Sequence, residues 1–233
     1  MKKNILTVGL FATSMLLTCN VAQASLINGG FEDPAYSSRG WYTPETIPGW
    51  ETTDRAFELW SHDFQGVTAY EGNQHAELNA YIAGTLSQDV VGLSAGDELG
   101  FEFAHRGRQG TDTMQLSITD LGIDNTYGTS DDTNLFSKNY STGNTDWAFY
   151  TNTGEESILA LGNTTRFAYS AVGGSSIGNF LDAADFGVGV NSPGPSSSVP
   201  EPASFALMSI GLFGLTGLRR RRKKINNNAC GVA

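Results

Sequence analysis

The chain has 233 residues, 28 of them Gly, and 16% are charged, against roughly 7% Gly and about 25% charged in average soluble proteins; that bias favours turns and strands over helices. The net charge of −10 conceals a segregation, because Lys2, Lys3 and the block from Arg219 to Lys224 hold most of the cations, while residues 25–198 carry 23 acids against six bases. No basic stripe is left there to release counterions from a phosphate backbone, which argues against nucleic acid as a partner.

In chain order, residues 1–24 read as a secretory signal peptide: Lys2 and Lys3, an apolar run from Ile5 to Leu17, then Ala22-Gln23-Ala24 as a small-x-small cleavage site. A competing reading takes Leu16-Leu17-Thr18-Cys19 as a lipoprotein site, although Thr is a poor residue before such a Cys. Cys19 and Cys230 are the two cysteines, so the stretch between the chain ends holds neither a disulfide nor a thiolate metal site. At ~170 residues it is large enough to fold around one core without staples.

Period-2 alternation then recurs at Phe57-Glu58-Leu59-Trp60, at Ala76-Glu77-Leu78-Asn79-Ala80-Tyr81, at Glu98-Leu99-Gly100-Phe101-Glu102-Phe103-Ala104 and at Met114-Gln115-Leu116-Ser117-Ile118-Thr119. Further strands are expected at 85–90, 135–140, 147–151, 157–161, 166–172 and 179–182, with turn residues between them and no amphipathic helix. Residues 25–190 are read as one all-β, antiparallel jelly-roll sandwich.

The far end has three parts: a Gly/Pro/Ser-rich linker at 191–198, an apolar run at 203–218 and six consecutive cations. Sixteen apolar or small residues span ~24 Å as a helix, somewhat short of a ~30 Å hydrocarbon core. The cations orient that helix with residues 225–233 as a cytoplasmic tail and everything before it outside. A buried core helix is the alternative, but it would not be followed by such a block.

The order Val199-Pro200-Glu201-Pro202, short apolar span and Arg run across 199–224 resembles the PEP-CTERM sorting signal of Gram-negative bacteria. The resemblance implies recognition by an exosortase with processing near Pro200, Glu201 and Pro202, membrane attachment through the C-terminal helix before processing, and an association with exopolysaccharide and biofilm. The body also resembles galactose-binding-like jelly rolls, including carbohydrate-binding modules. It does so through Asn28-Gly29-Gly30-Phe31-Glu32, Pro48-Gly49-Trp50, the Gly72 to Leu78 stretch, Gly84 to Gln88 and the closing Phe180-Leu181-Asp182. That likeness implies a structural Ca²⁺ held by Glu32 and Asp182, hard oxygen ligands that suit the ion. Ala183 stands where the family often has a second Asp, and Glu32 read alone is an ordinary turn carboxylate. Asp120 to Asp132 fails the EF-hand spacing and reads as a solvated acidic loop, with a second Ca²⁺ site as the alternative.

Parity gives the candidate ligand site. If Phe57, Leu59, Ala76, Leu78, Leu99, Phe101 and Phe103 face the core, then Glu58, Trp60, Glu77, Asn79, Tyr81 and Glu102 project from the other face. Exposed flat rings beside amides and carboxylates suit sugars, with Arg106 and Arg108 adding donors for hydroxyls. The alternatives are that loops cover these rings and that Arg108 pairs with Asp112. Core packing is the default for Trp41, Tyr42, Trp50 and Trp147.

Enzyme readings fare worse. Gly174-Ser175-Ser176-Ile177-Gly178 matches a nucleophile pattern, but His62, His75 and His105 all precede it, and no His spacing suits zinc. The expectation is therefore a non-enzymatic envelope protein binding extracellular polysaccharide. A structural or adhesive matrix protein and a polysaccharide hydrolase stand as alternatives.

Overall fold

The computed structural model describes residues 26–61 and 63–190. The expected signal peptide, His62, the expected sorting motif at Pro200, Glu201 and Pro202 and the expected C-terminal membrane helix lie outside the described residues.

Twelve strands form two antiparallel sheets: β1 (Gly40–Tyr42), β2 (Glu51–Thr52), β3 (Glu58–Ser61), β4 (Gln74–Glu77), β5 (Thr85–Val91), β6 (Glu98–Gly107), β7 (Asp112–Asp120), β8 (Thr133–Thr142), β9 (Ala148–Thr151), β10 (Ile158–Leu159), β11 (Thr164–Ala171) and β12 (Asn179–Val188). One sheet runs β1-β3-β4-β12-β6-β10 with β9 also on β6; the other runs β2-β5-β11-β7-β8. The helical content of the described residues is one 3-10 turn, Phe64–Gly66. The all-β sandwich follows from the sequence pattern. β1 and β2, of three and two residues, are too short to show a period.

The core between the sheets is built by the alternating residues of facing strands. Leu59, Ala76, Leu78, Leu99, Phe101 and Phe103 from the larger sheet meet Leu86, Met114, Leu116, Ile118, Phe167 and Tyr169 from the smaller one. Phe167 stacks on Phe186 across the gap at 3.9 Å. Each fully buried side chain of this size stabilises the fold by about 1.5–3 kcal/mol. Trp50 joins this core and donates Nε1 to the Asn28 carbonyl at 3.0 Å, tying the start of the described chain to the sandwich.

A second, smaller apolar cluster lies on the outer side of the larger sheet. Trp60, Val67 and Phe180 are buried there under Phe64 and Trp147. The segment after β3 folds back across the sheet to build it. This cover decides what the outer face can offer a ligand.

Candidate functional site

β3 and β4 pair with Glu58 opposite Glu77 and Trp60 opposite His75. Directly opposed residues share a face, so these four side chains stand together on the outer side, as parity requires. They are not exposed there. Trp60 is 1% exposed, with the Phe64 edge 5.0 Å from its ring and Phe180 at 4.8 Å. The expectation of an open Trp60 platform is corrected: a large ring beside apolar Phe64 and Val67 gains more from being covered than from facing water.

Trp60 instead forms a floor. Its Nε1 donates to Glu58 Oε1 at 2.7 Å, and the Arg108 guanidinium lies over its ring at 4.6 Å. Arg108 Nη1 bridges both Glu77 oxygens at 2.9 and 3.1 Å and donates to the Ser176 carbonyl at 3.3 Å. Asp112 takes the Arg108 backbone N–H, not the guanidinium. Burial and the facing Glu58 carboxylate push Glu77 up to about 8, against the opposing pull of Arg108 and the Gly178 N–H. Among the described residues Arg108 is the cation paired with both glutamates, 4.0 Å from Glu58 Oε1 and 2.9 Å from Glu77 Oε2.

Asn79 also lies beneath the surface, contrary to the expectation that it projects. Its Oδ1 accepts from both nitrogens of Asn179, and its Nδ2 donates to the Gly173 and Ser175 carbonyls. Both ends of the amide are spent on holding the β11–β12 loop. A Cβ at Gly178 would fall 2.2 Å from Asn79 Oδ1, so this close approach requires glycine. Gly174 to Gly178 is thus the wall-forming turn of a pocket, and neither His75 nor His105 bonds to its serines. Arg106 turns away to the Asn144 carbonyl and does not line the pocket.

What remains open is a cavity of about 300 Å³, to which Glu58, Tyr81, Arg108, Trp41 and Ile177 contribute with Thr43 and Gln65. Tyr81 is 40% exposed and Trp41 54%. The Tyr81 ring is backed by Arg55 at 4.1 Å, and its backbone N–H is held by Asp54. Trp41 is the residue that sequence reasoning misplaced. It sits directly opposite Trp60 across β1 and β3, so it shares the outer face, where it stays half exposed at the sheet edge. Here two flat apolar rings, a guanidinium and a carboxylate share one concavity. Such a set can stack on the C–H face of a sugar and hydrogen-bond its rim hydroxyls.

Glu32 and Asp182 both serve the loop at residues 70–74. Glu32 Oε1 accepts from the Asn73 and Gln74 N–H groups at 2.6 and 2.9 Å. Asp182 Oδ2 accepts from Tyr70 and Glu71, and its Oδ1 from Ala183. Gly72, at φ +60°, would bring a Cβ within 2.2 Å of Glu32 Oε1. Ca²⁺ needs about six to eight oxygens. In this arrangement the two carboxylates are occupied by amide donors, and among the described residues no group of three His, Cys, Asp or Glu could hold a metal ion. Glu32 and Asp182 thus hold that loop through its backbone amides. The acidic loop after β7 likewise spends Asp131 and Asp132 on the Ile123 and Gly128 N–H groups.

Comparisons place this architecture among known folds. A Stig cyclase from Fischerella sp. TAU aligns over 71% of this chain and 97% of its own with a TM-score of 0.50 at 17% identity. A family 61 carbohydrate-binding module solved with β-1,4-galactotriose aligns over 72% and 99% (TM-score 0.45, 18% identity). A xylan-binding family 22 domain aligns over 66% and 97% (TM-score 0.40, 14% identity). At 17% identity the likeness to the cyclase speaks of the fold and not of chemistry. No curated protein matches the sequence. Residues 198–222 match the PEP-CTERM protein-sorting motif, the mark of an exported protein.

Proposed function

We propose that this protein is delivered to the cell envelope as an exosortase substrate, attached through its C-terminal segment until processing, and binds extracellular polysaccharide there without catalysis. The supporting observation is the meeting of half-open Trp41 and Tyr81 rings with Arg108 and Glu58 in one pocket. Rings whose backbones are fixed by sheet pairing and by Asp54 are held in place before a ligand arrives, which lowers the entropy cost of binding. Glycan-array and affinity-electrophoresis measurements with the purified protein test this. Retention of a polysaccharide that falls about tenfold or more in Tyr81→Ala and in Trp41→Ala, with melting unchanged, is the expected result. Retention that ignores both changes favours a structural or adhesive matrix protein with no sugar site here.

A polysaccharide hydrolase asks for two carboxylates flanking the bond to be cut, about 5 to 9.5 Å apart. Glu58 and Glu77 are the paired acids at this pocket, yet the Glu77 side chain is fully buried behind Arg108. An acid that no substrate can touch serves the architecture of the pocket and not its chemistry.

A further inference from the structure

A second cavity, of about 540 Å³, opens on the same sheet beside β12, β6 and β9, and shares no lining residue with the Trp41–Tyr81 pocket. Its size falls within the range of small-ligand sites. Tyr70 and Phe149 line it as near-parallel rings, centroids 5.5 Å apart and 9° between planes. They are 45% and 44% exposed. The pair is fixed from behind, because Trp147 meets Tyr70 edge-on at 6.2 Å and donates its Nε1 to the Thr68 carbonyl. A parallel pair of rings open to solvent loses apolar contact that a small repacking would recover, and a stacking ligand restores it.

The wall of this cavity is anionic. Glu71, Glu102 and Asp185 line it and no Lys, Arg or His does; none of the three acids belongs to an ion pair among the described residues. Glu102 and Asp185 are direct cross-strand partners. Between Asp182 and Asp185 the ladder takes one extra residue on β12, with Ala183 at φ 47°, and this bulge aims Asp185 at Glu102. Like charges placed opposite one another weaken a strand pair, and bulges next to binding sites re-aim side chains in this way. Burial and Glu102 hold Asp185 above the ordinary carboxylate range, the response of an acid with no cation beside it.

We propose that this cavity binds an amino sugar: the C–H face of a hexose stacks on the exposed aromatic surface of Tyr70 and Phe149 while its primary ammonium sits at the Glu102–Asp185 pair. The chemistry selects a glycan built of unacetylated amino-hexose units. A basic peptide would offer the cation but only a narrow methylene stem to the exposed ring surface, and a neutral glycan would leave the carboxylates without a counter-charge.

Isothermal titration of the purified protein near pH 6 at low salt, with a β-1,4-linked glucosamine oligomer, its fully N-acetylated counterpart and a lysine oligomer, decides the matter. The glucosamine oligomer is expected to bind at least about tenfold more tightly than the other two, and Phe149→Ala and Glu102→Gln each to weaken it by about tenfold. Glu102→Gln should at the same time hold or raise the melting midpoint, since it removes a like-charge pair; a merely structural residue would not separate the two readouts. Glu45→Gln, the same charge change at an exposed position elsewhere, should leave affinity unchanged. Equal affinity for the acetylated or the lysine oligomer, or an equal loss in Glu45→Gln, overturns the proposal. Tyr81→Ala should leave this affinity intact, so that failure here and failure of the Trp41–Tyr81 pocket are separate results.

Discussion

Trp60 and Tyr81 stand at adjoining points of one site, and truncating them should have opposite signatures. Trp60 is 1% exposed, wedged between Phe64 and Phe180 and lying under the Arg108 guanidinium. Removing a buried aromatic ring of this size costs about 3–5 kcal/mol. Loss of the Nε1–H donor also strips Glu58 of a buried partner, a penalty of about 1–3 kcal/mol where water does not replace it. For a domain of this length each kcal/mol moves the midpoint by roughly 2–4 °C, so Trp60→Ala should melt at least roughly 6–20 °C below the parent. Tyr81 is 40% exposed, and Tyr81→Ala should shift the midpoint by no more than a few degrees, about 1 kcal/mol, while weakening glycan retention about tenfold or more. Circular-dichroism melts and affinity electrophoresis on the same preparations separate the two. A Trp60→Ala protein that melts with the parent and no longer retains glycan would mean that the ring is a contact surface and the cover over it is not closed, which refutes the assignment of Trp60 to the floor.

Three further outcomes follow from buried charge. His75 is 1% exposed, with Trp147, Phe180 and Trp60 around it, and both ring nitrogens lack a hydrogen bond; His75→Phe should raise stability by about 1–3 kcal/mol in urea titrations at pH 7, and a loss of that size would show a hidden partner. Burial and Arg106 lower His75 from 6.5 to about 3, so the unfolded chain binds the proton first, stability drains away as pH falls from 6.5 toward 3, and His75→Phe should flatten that acid limb. Glu77 has the opposite sign: its folded value of about 8 exceeds the ordinary 4.5, its contribution is complete below 4.5 and lost as pH rises through 8, and Glu77→Gln should be more stable than the parent at pH 8 but not at pH 4; parallel curves would contradict the burial of that carboxyl. Because amide donors already occupy Glu32 and Asp182, the melting midpoint should be the same in chelator and in millimolar Ca²⁺, and an upward shift with Ca²⁺ would show that the loop at residues 70–74 rearranges to admit the ion.

Strand parity was sufficient to place the sandwich and to divide its faces. Leu59, Ala76, Leu99, Phe101 and Phe103 are in the core and Glu58, Trp60 and Glu77 are on the other side, because a period of two leaves no freedom once one face is buried. Parity says nothing about what lies above a face. Whether Trp60 meets water is settled by residues 63–67, where Phe64 follows Asp63 in the left-handed region and packs onto the sheet. The trace of this in the sequence is a pair of apolar residues, Phe64 and Val67, just after β3. Trp41 was invisible for a different reason: a three-residue edge strand carries no period, and its face is fixed only by its partner Trp60. Phe149 and Tyr70 meet across 79 residues of chain, and Glu102 meets Asp185 through a bulge. Contacts of that kind arise from topology and register, which no local pattern encodes.

The buried cluster also explains how two open sites can keep their shape on one sheet. Arg108 rests on Trp60, Trp60 packs on Phe180 and His75, those two meet Trp147, and Trp147 holds Tyr70. The outermost members of this chain, Arg108 and Tyr70, each line one cavity. Side chains that project from a sheet into water lose little rotamer freedom until a ligand fixes them, and the ligand then bears that entropy, about 0.5–1.5 kcal/mol for each side chain immobilised. Here the ordering is done on folding, by aromatic contacts beneath the surface. The segment after β3 therefore does more than hide a tryptophan: by covering the middle of the face it helps order the side chains that line the two cavities. Under the proposed function, residues buried beside a pocket, Trp60 and His75 among them, would act on binding by ordering the side chains above them.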